Sequence, residues 1–281
     1  MELTNLSTIR DVLSRHGFHF SKKLGQNFLI NPSVCPRMAE AGGAQNGTGI
    51  LEIGPGLGVL TKELALRADK VVAIELDDRL FPVLEETLGE FSNVTVVPGD
   101  AMKLDLTALI KEQFGEMPVA VCANLPYYIT SPLIMKLLES RLPITSITVM
   151  VQKEAAERLC AAPGTRDCGA VTLAVAYYAH AETLFSVSRG SFLPAPNVDS
   201  AVIRLTVRPT PPVAVQNEAA LFRLIRGAFA QRRKTLCNAL SGAGYSKETV
   251  LAAMNAAAIP ATARAEQLTL EQFAALCNAM K

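Results

Sequence analysis

The sequence contains no tryptophan and only three histidines among its 281 residues. Its formal net charge is +1, so any binding of nucleic acid has to come from local patches rather than from the chain as a whole. No apolar run approaches the ~18–20 residues that cross a membrane. The N-terminal stretch also lacks a long apolar segment, so we expect neither a membrane anchor nor a signal peptide.

The six cysteines form no C-x-x-C pair and show no metal-like spacing to a histidine. Several lie in apolar runs, as Cys122 does, where a reduced and buried thiol is the ordinary role. We therefore expect no disulfide, no structural zinc and no other metal site, and a reducing cytoplasm as the compartment.

Apolar residues make up 49% of the chain, which is enough for a large core. From residue 49 onwards, short apolar runs alternate with helical patterns, which is typical of β-α-β units in a mostly parallel sheet. Two later strands follow one another closely and should be antiparallel. The predicted strands cover 49–53, 70–76, 93–97, 118–123, 146–151, 181–187 and 200–207.

The C-terminal part has a different composition. Residues 208–218 are rich in proline and should carry no helix, and the Ala-rich remainder indicates four or five short helices. The predicted organisation is an α/β domain over 1–207 with a helical and loop extension over 1–45, a linker over 208–218, and a small all-α domain over 219–281.

A glycine-rich turn follows the first predicted strand, in LEIGPGLGVLT (51–61). Gly54 and Gly56 would let a ligand approach the backbone beside the start of a helix. The G-x-G-x-G spacing differs from the G-x-G-x-x-G of nicotinamide-binding proteins, which argues against a dehydrogenase. A tight turn without a ligand is the alternative.

Two acidic residues follow at the ends of the next strands. Glu75 stands 21 residues after Gly54, where an acidic side chain commonly accepts hydrogen bonds from ribose hydroxyls. Asp100 could accept from an adenine amine while Met102 covers the ring. The alternatives are an exposed glutamate and an aspartate that caps a turn. Because the carboxyl ends of parallel strands meet at one edge, we expect an adenosine pocket there.

The stretch NLPY (124–127) ends the fourth strand at the same edge. No P-loop or phosphate-binding lysine accompanies the pocket, which favours S-adenosylmethionine as the cofactor. Methylation of an exocyclic amine requires acceptors for its N–H groups, and the Asn124 side chain and the Leu125 carbonyl could supply them. Pro126 would stiffen the turn, and Tyr127 could stack on a base turned out of its helix. A plain turn with a surface tyrosine is the alternative.

Phe192 lies in SFLPAPNVDSAVI (191–203), shortly before two prolines and the last strand. An exposed phenylalanine on a stiff loop could stack on the second face of the base. The alternative is a phenylalanine that fills the edge of the core.

Two basic clusters are candidates for phosphate contacts. Residues 216–281 contain 8 Lys and Arg against 4 Asp and Glu, a surplus that the whole-chain charge hides. For the helical cluster, a solvated charged face is the alternative. The candidates are Lys22 and Lys23 in the N-terminal loop, and Arg223, Arg226, Arg232, Arg233 and Lys234 in the C-terminal helices.

Taken in order, these stretches resemble the motifs of the rRNA adenine N6-dimethyltransferases, over about residues 8–275. FAQRRKTL (229–236) is similar to the bacterial enzymes of this family that act on the small subunit. The other motifs are KKLGQNFL (22–29), EIGPGLGVLT (52–61), AIELD (73–77), GDAM (99–102), NLPYYITSP (124–132) and FLPAPNVDSAV (192–202).

The resemblance implies a Rossmann-like class I methyltransferase fold with a mostly parallel seven-stranded sheet and an antiparallel late strand. It further implies dimethylation of two adjacent adenines in the 3′-terminal hairpin loop of 16S rRNA, on an immature 30S subunit, as a step of ribosome biogenesis. We expect a monomer, because one large partner requires no symmetry.

The resemblance also implies roles for individual residues. Asn27, Leu29 and Gly54 would surround the methionine side of the cofactor, and Tyr127 and Phe192 would sandwich the target adenine. The implied cofactor residues are Gln26, Asn27, Leu29, Gly54, Gly56, Glu75, Leu76, Asp100, Ala101, Met102 and Asn124. The implied catalytic residues are Asn124, Leu125, Pro126, Tyr127 and Phe192.

Other functions remain as alternatives. The 23S rRNA methyltransferases that confer macrolide resistance share these motifs, although FAQRRKTL and the chain length favour the small-subunit enzymes. A DNA adenine methyltransferase would more typically carry Asp-Pro-Pro-Tyr at the turn. A role in subunit assembly could accompany catalysis. The motifs give no reason to invoke the non-catalytic relatives that act as transcription factors.

Overall fold

A computed structural model describes residues 1–20 and 25–280, so the predicted contacts Lys22 and Lys23 lie outside the described residues. The chain divides into two compact units. The first comprises Met1–Ala156 and Glu182–Val207, and the second comprises Glu157–Ala181 and Arg208–Lys281.

The first unit is built on a seven-stranded sheet, which confirms the predicted fold class. Its strands are β2 (Gly49–Ile53), β3 (Lys70–Glu75), β4 (Val94–Pro98), β5 (Val119–Asn124), β6 (Ile144–Gln152), β7 (Ala179–Val187) and β9 (Ser200–Val207). The first three residues of β7 belong to the second unit. The order is β4-β3-β2-β5-β6-β9-β7. Strands β2 to β6 pair in parallel, and β9 runs antiparallel to β6, which confirms the late antiparallel strand of the expected fold.

Two short strands, β1 (Phe28–Leu29) and β8 (Phe192–Leu193), form a separate antiparallel pair. The α-helices that begin in the first unit are α1 (Leu6–Arg15), α2 (Val34–Ala41), α3 (Val59–Ala65), α4 (Phe81–Leu88), α5 (Leu106–Phe114), α6 (Thr130–Glu139) and α7 (Lys153–Leu159). Single 3₁₀ turns cover Asp78–Leu80, Tyr127–Ile129 and Arg189–Ser191.

The arrangement of the central strands positions the site. Every residue of β2 is buried, as expected for a strand covered on both faces of a parallel sheet. Strand β2 lies between β3 and β5. The strands after β2 are added first on one side of it and then, from β5 onwards, on the other, so the strand order reverses beside β2. In such sheets ligands bind at the carboxyl ends of the strands, next to this reversal.

The second unit is helical. It contains α8 (Ala170–Tyr178), α9 (Glu218–Phe229), α10 (Leu236–Gly242), α11 (Lys247–Ala256), α12 (Leu270–Ala279) and a 3₁₀ turn at Ala265–Gln267. The sequence pattern assigns residues 157–181 to the first domain, whereas they group with the C-terminal helices. The hydroxyls of Tyr177 and Tyr178 both donate to Glu218, at 2.9 and 2.8 Å, and the ring of Tyr178 stacks on Phe222. Within the residues that the structure describes, no helix is both long and apolar enough to cross a membrane.

Candidate functional site

The glycine-rich turn lies between β2 and α3, and its backbone strongly favours glycine. Gly54, Gly56 and Gly58 all have positive φ, at 72°, 60° and 84°. A Cβ on Gly58 would also lie 2.9 Å from a methyl carbon of Leu88. A Cβ on Gly56 would lie 3.1 Å from the ring of Phe28. The turn is therefore adapted to close packing of the backbone on both sides.

Glu75 ends β3 with its side chain buried at the same edge of the sheet. Its Oε1 accepts a hydrogen bond of 2.8 Å from the backbone N–H of Asp77. Burial raises the pKa of Glu75, and backbone N–H groups of Asp77, Gly56 and Leu76 counteract that rise. A carboxylate held by backbone donors is well suited to accept further hydrogen bonds from a ligand's hydroxyl groups.

Asp100 follows β4, and its position is compatible with both of the roles that the sequence left open. Its Oδ1 accepts from the backbone N–H of Met102 at 2.9 Å, as in a turn, and its side chain is 29% exposed. From α6, the ammonium of Lys136 donates to the carbonyls of Ala101 and Leu104, both at 2.9 Å. The turn that carries Asp100 is thus fastened to the helix that follows the NLPY stretch.

Asn124 is the last residue of β5, and its side chain contacts the N-terminal segment. Its Nδ2 donates to the carbonyl of Asn27 at 3.4 Å. The next residue, Leu125, is 1% exposed, and Pro126 has an extended ψ of 130° that turns the chain into the following 3₁₀ turn. The predicted acceptors therefore stand on a rigid turn at the edge of the sheet.

Tyr127 is anchored through its hydroxyl group. That oxygen lies 2.7 Å from Oγ of Ser200, which is fully buried at the start of β9. Burial raises the pKa of Tyr127. The contact joins the NLPY stretch to the motif that contains Phe192, and sequence reasoning missed Ser200. The spacing of the two motifs carried no signal for it, because the partners are 73 residues apart.

The prediction that Phe192 is exposed is wrong. Phe192 is 3% exposed and pairs with Leu29 across the two short strands. It belongs to the hydrophobic core of the first unit together with Leu29 and Val202. The alternative role, a phenylalanine that fills the edge of the core, is the one seen in the structure. One residue further along the chain, the peptide bond between Leu193 and Pro194 is cis.

Most of the predicted cofactor and catalytic residues line one cavity at the carboxyl edge of the sheet. Met102 and Phe192 are the two that do not line it. Glu52, Ile74 and Tyr128 line it without having been predicted. The predicted residues in the lining are Gln26, Asn27, Leu29, Gly54, Gly56, Glu75, Leu76, Asp100, Ala101, Asn124, Leu125, Pro126 and Tyr127.

Glu52 is the least expected member of this lining. It is 1% exposed in the middle of an apolar strand, and its Oε2 has no hydrogen-bond partner among the described residues. Burial raises its pKa to about 8. A single acidic residue inside the apolar run GILEI was the available signal, since a buried charge is rare without a function or a partner.

The predicted RNA-binding residues of the second unit differ in their contacts. Arg223, Arg226, Arg233 and Lys234 are exposed. Arg232 is also exposed, but its Nη2 donates to the carbonyl oxygens of Arg166 and Cys168, at 2.9 and 3.3 Å. Arg232 therefore fastens the loop before α8 within this unit, besides any contact with phosphate.

The hydrogen-bond acceptors and apolar residues of the cavity fit an adenosine-containing ligand that has no phosphate. Glu75 and Asp100 line it with their carboxylates, and apolar residues such as Leu76 and Ala101 are also in the lining. Among the described residues of its lining there is no lysine or arginine, so no cationic side chain in that set would neutralise a phosphate. In the same described part of the chain, no group of three His, Cys, Asp or Glu residues could hold a metal ion.

Comparison with known proteins gives consistent matches over nearly the whole chain. The sequence model of a family described as ribosomal RNA adenine dimethylase matches residues 17–281. Ribosomal RNA small subunit methyltransferase A of Geobacillus thermodenitrificans is 50% identical over 276 residues, covering 96% of this chain and 94% of that protein. The protein of the same name from Bacillus licheniformis is 46% identical over 277 residues, covering 97% and 95%.

Two solved structures are also similar. A dimethyladenosine transferase from Plasmodium falciparum has a TM-score of 0.75 at 28% identity, with 89% of this chain and 95% of that one covered. The 23S rRNA methyltransferase ErmE has a TM-score of 0.67 at 28% identity, covering 90% and 99%.

Proposed function

Since this chain belongs to the ribosomal RNA adenine dimethylase family, we propose that its cavity is the cofactor and adenine site of a small-subunit rRNA methyltransferase. The enzyme is an S-adenosylmethionine-dependent rRNA adenine dimethyltransferase. Its proposed target is the pair of adjacent adenines in the 3′-terminal hairpin loop of 16S rRNA. The proposed substrate particle is the immature 30S subunit, which links the enzyme to ribosome biogenesis. We propose that the enzyme acts in the cytoplasm and is a monomer.

One observation supports the small subunit over the large one. Relatives named for the small subunit share 50% and 48% of residues with this chain, whereas the 23S rRNA methyltransferase shares 28%. The motifs are expected to be common to both kinds of enzyme, so the preference rests on identity over the whole chain.

The residues around the cavity divide into those that would hold the cofactor and those that would hold the adenine. We propose that Glu75 accepts from the ribose hydroxyls and Asp100 from the adenine amine of the cofactor. Asn27, Leu29 and Gly54 would surround its methionine end. When bound, S-adenosylmethionine supplies a methyl group on a positively charged sulfur. The sulfur is a good leaving group, so the transfer needs no acid catalysis.

Asn124 would orient the target amine. Its Nδ2 donates to the carbonyl of Asn27. That bond leaves Oδ1 of the same amide as the acceptor for a substrate N–H. The carbonyl of Leu125 would accept the second N–H. With both hydrogens held by these acceptors, the nitrogen lone pair would face the methyl group of the cofactor. The C–N bond would form as the methyl–sulfur bond breaks, and the proton of the methylated amine would pass to water.

Tyr127 is the proposed stacking partner of the target base. It lines the cavity, and its ring is held by the hydroxyl contact with Ser200. Phe192 would reach the second face of the base only if the β1–β8 pair opened, because it is buried in this conformation. We therefore assign the stacking in this conformation to Tyr127 alone.

Binding of the subunit is proposed to depend on the exposed cations of the second unit. Arg223, Arg226, Arg233 and Lys234 would contact phosphates. Lys22 and Lys23 would add to them from the N-terminal loop, and Arg232 would contribute alongside its role within the fold.

Two sets of variants test this division. Asn124→Ala should abolish methyl transfer to 30S subunits and leave binding of the subunit, measured by filter retention, within about twofold. Charge reversal at Arg233 and Lys234 should weaken binding, more so at low salt where electrostatic attraction is strongest. Asn46→Ala, an exposed asparagine outside the cavity, is the matched control and should retain both properties. Loss of both properties in both test variants would contradict the proposal.

A further inference from the structure

Asp77 has a buried carboxylate that the proposed mechanism does not use. It is 5% exposed, yet it is not among the residues that line the cavity. Its oxygens accept from Nε2 of Gln26 at 2.8 Å, and from Nε and Nη2 of Arg79 at 2.8 and 2.6 Å. Three charge-assisted hydrogen bonds on one buried carboxylate hold it in a fixed position.

The backbone of the same residue holds the carboxylate proposed to bind ribose. The N–H of Asp77 donates to Oε1 of Glu75 at 2.8 Å. On the other side, Gln26 precedes Asn27, whose carbonyl accepts from Asn124. Asp77 therefore connects the ends of two different strands through the segment Gly25–Leu29.

Arg79 fastens the N-terminal chain at a second place. Its guanidinium carbon lies 5.0 Å from the ring centre of Phe18, and its Nη1 lies 3.5 Å from the carbonyl of His19. The ring of Phe18 in turn lies 6.1 Å from that of Phe28, whose own ring packs beside Gly56. The chain before and after the undescribed residues 21–24 is thus tied to the same aspartate.

We propose that Asp77 is a positioning residue, and that its hydrogen bond to Gln26 is a clasp that holds Gly25–Leu29 against the cofactor. This inference rests on the proposed function, because the five residues of that segment line the same cavity as Glu75 and Asp100. Gln26, predicted as a cofactor ligand, then contributes chiefly through Asp77. Opening the clasp would remove one wall of the cavity.

The clasp has a consequence that a merely structural contact would not have. Breaking it should weaken binding of S-adenosylmethionine about tenfold, the effect of one charge-assisted hydrogen bond. The KM for the 30S subunit should stay within about twofold, because Tyr127 keeps its own contact with Ser200. The kcat should fall severalfold, because Asn27, whose carbonyl accepts from Asn124, belongs to the released segment.

Gln26→Glu is the most direct variant, because it places a second carboxylate against Asp77 in a half-buried loop position. Asp77→Asn in the same chain should restore binding to within about threefold of wild type, since the asparagine amide can then donate to the glutamate. Asp78→Asn removes the same charge from the exposed neighbouring residue and should behave as wild type.

The measurement is the dissociation constant of S-adenosylmethionine by calorimetry on the full chain, together with steady-state kinetics. Circular dichroism on each variant checks that it is folded. Wild-type affinity in Gln26→Glu, or the absence of rescue by Asp77→Asn, would overturn the clasp. A wild-type protein that does not bind S-adenosylmethionine would instead overturn the proposed function, so the two failures are distinguishable.

Discussion

Replacing Glu52 by glutamine should change how the stability of the cofactor-free protein depends on pH. Glu52 is 1% exposed, and its Oε2 has no hydrogen-bond partner among the described residues. Burial raises its pKa from 4.5 to about 8, and the carboxylate of Glu75 acts in the same direction. Near neutral pH the folded protein therefore carries a proton on Glu52 that the unfolded chain has released.

The sign of the effect follows from this proton. Folding takes up a proton between the unfolded pKa of 4.5 and the folded pKa of about 8, so the contribution of Glu52 to stability falls as pH rises through that window. One pKa unit corresponds to about 1.4 kcal/mol, which gives about 5 kcal/mol over the whole window. That is a large part of the roughly 5–15 kcal/mol by which domains are stable.

Urea denaturation of the wild type and Glu52→Gln at pH 5 and pH 8 measures the effect. Between pH 5 and pH 8, the free energy of unfolding of the wild type should fall by about 3–4 kcal/mol relative to that of the variant. Only the wild type takes up a proton at this position on folding in that range. Taking the difference removes the contributions of groups that do not interact with Glu52, and Glu116→Gln, at an exposed position, controls for loss of a carboxylate. Parallel pH profiles for the wild type and Glu52→Gln would refute the reasoning.

Two further predictions concern contacts that support the site. Ser200→Ala removes the partner of the Tyr127 hydroxyl at 2.7 Å and should lower kcat severalfold with the KM for S-adenosylmethionine unchanged; steady-state kinetics would contradict this if only the KM moved. Lys136→Met removes the ammonium from two carbonyls in the turn that carries Asp100, at 2.9 Å each, and should raise the KM for S-adenosylmethionine about fivefold. An unchanged KM would show that the turn holds its position without the lysine.

The sequence was sufficient to predict the edge of the sheet at which the site lies. Short apolar runs bounded by turn residues marked β2 to β6, and parallel pairing alone brings their carboxyl ends together. Glu75, Asp100 and Asn124 could therefore be assigned to one cavity from their positions along the chain. Helix α5 is also readable from the sequence, because Asp105 is a typical N-cap and Leu106, Ile110 and Phe114 form an apolar face.

Features that depend on pairing between distant segments could not be predicted in the same way. Phe192 is buried because β8 pairs with β1, and the two strands are separated by most of the first unit. The hydroxyl contact of Tyr127 with Ser200 and the bonds of Arg232 to carbonyls 64 and 66 residues away are of the same kind. Local periodicity reports which face of an element is apolar, but it does not report which segment covers that face.

The central claim is that this chain dimethylates adenine N6 in the small ribosomal subunit. It is tested most directly by transfer of tritiated methyl groups from S-adenosylmethionine to 30S subunits purified from cells that lack this methylation. Nuclease digestion and chromatography then identify the labelled nucleoside. We predict labelled N6,N6-dimethyladenosine from the 30S subunit. Label in protein-free 23S rRNA and none in the 30S subunit would contradict the account.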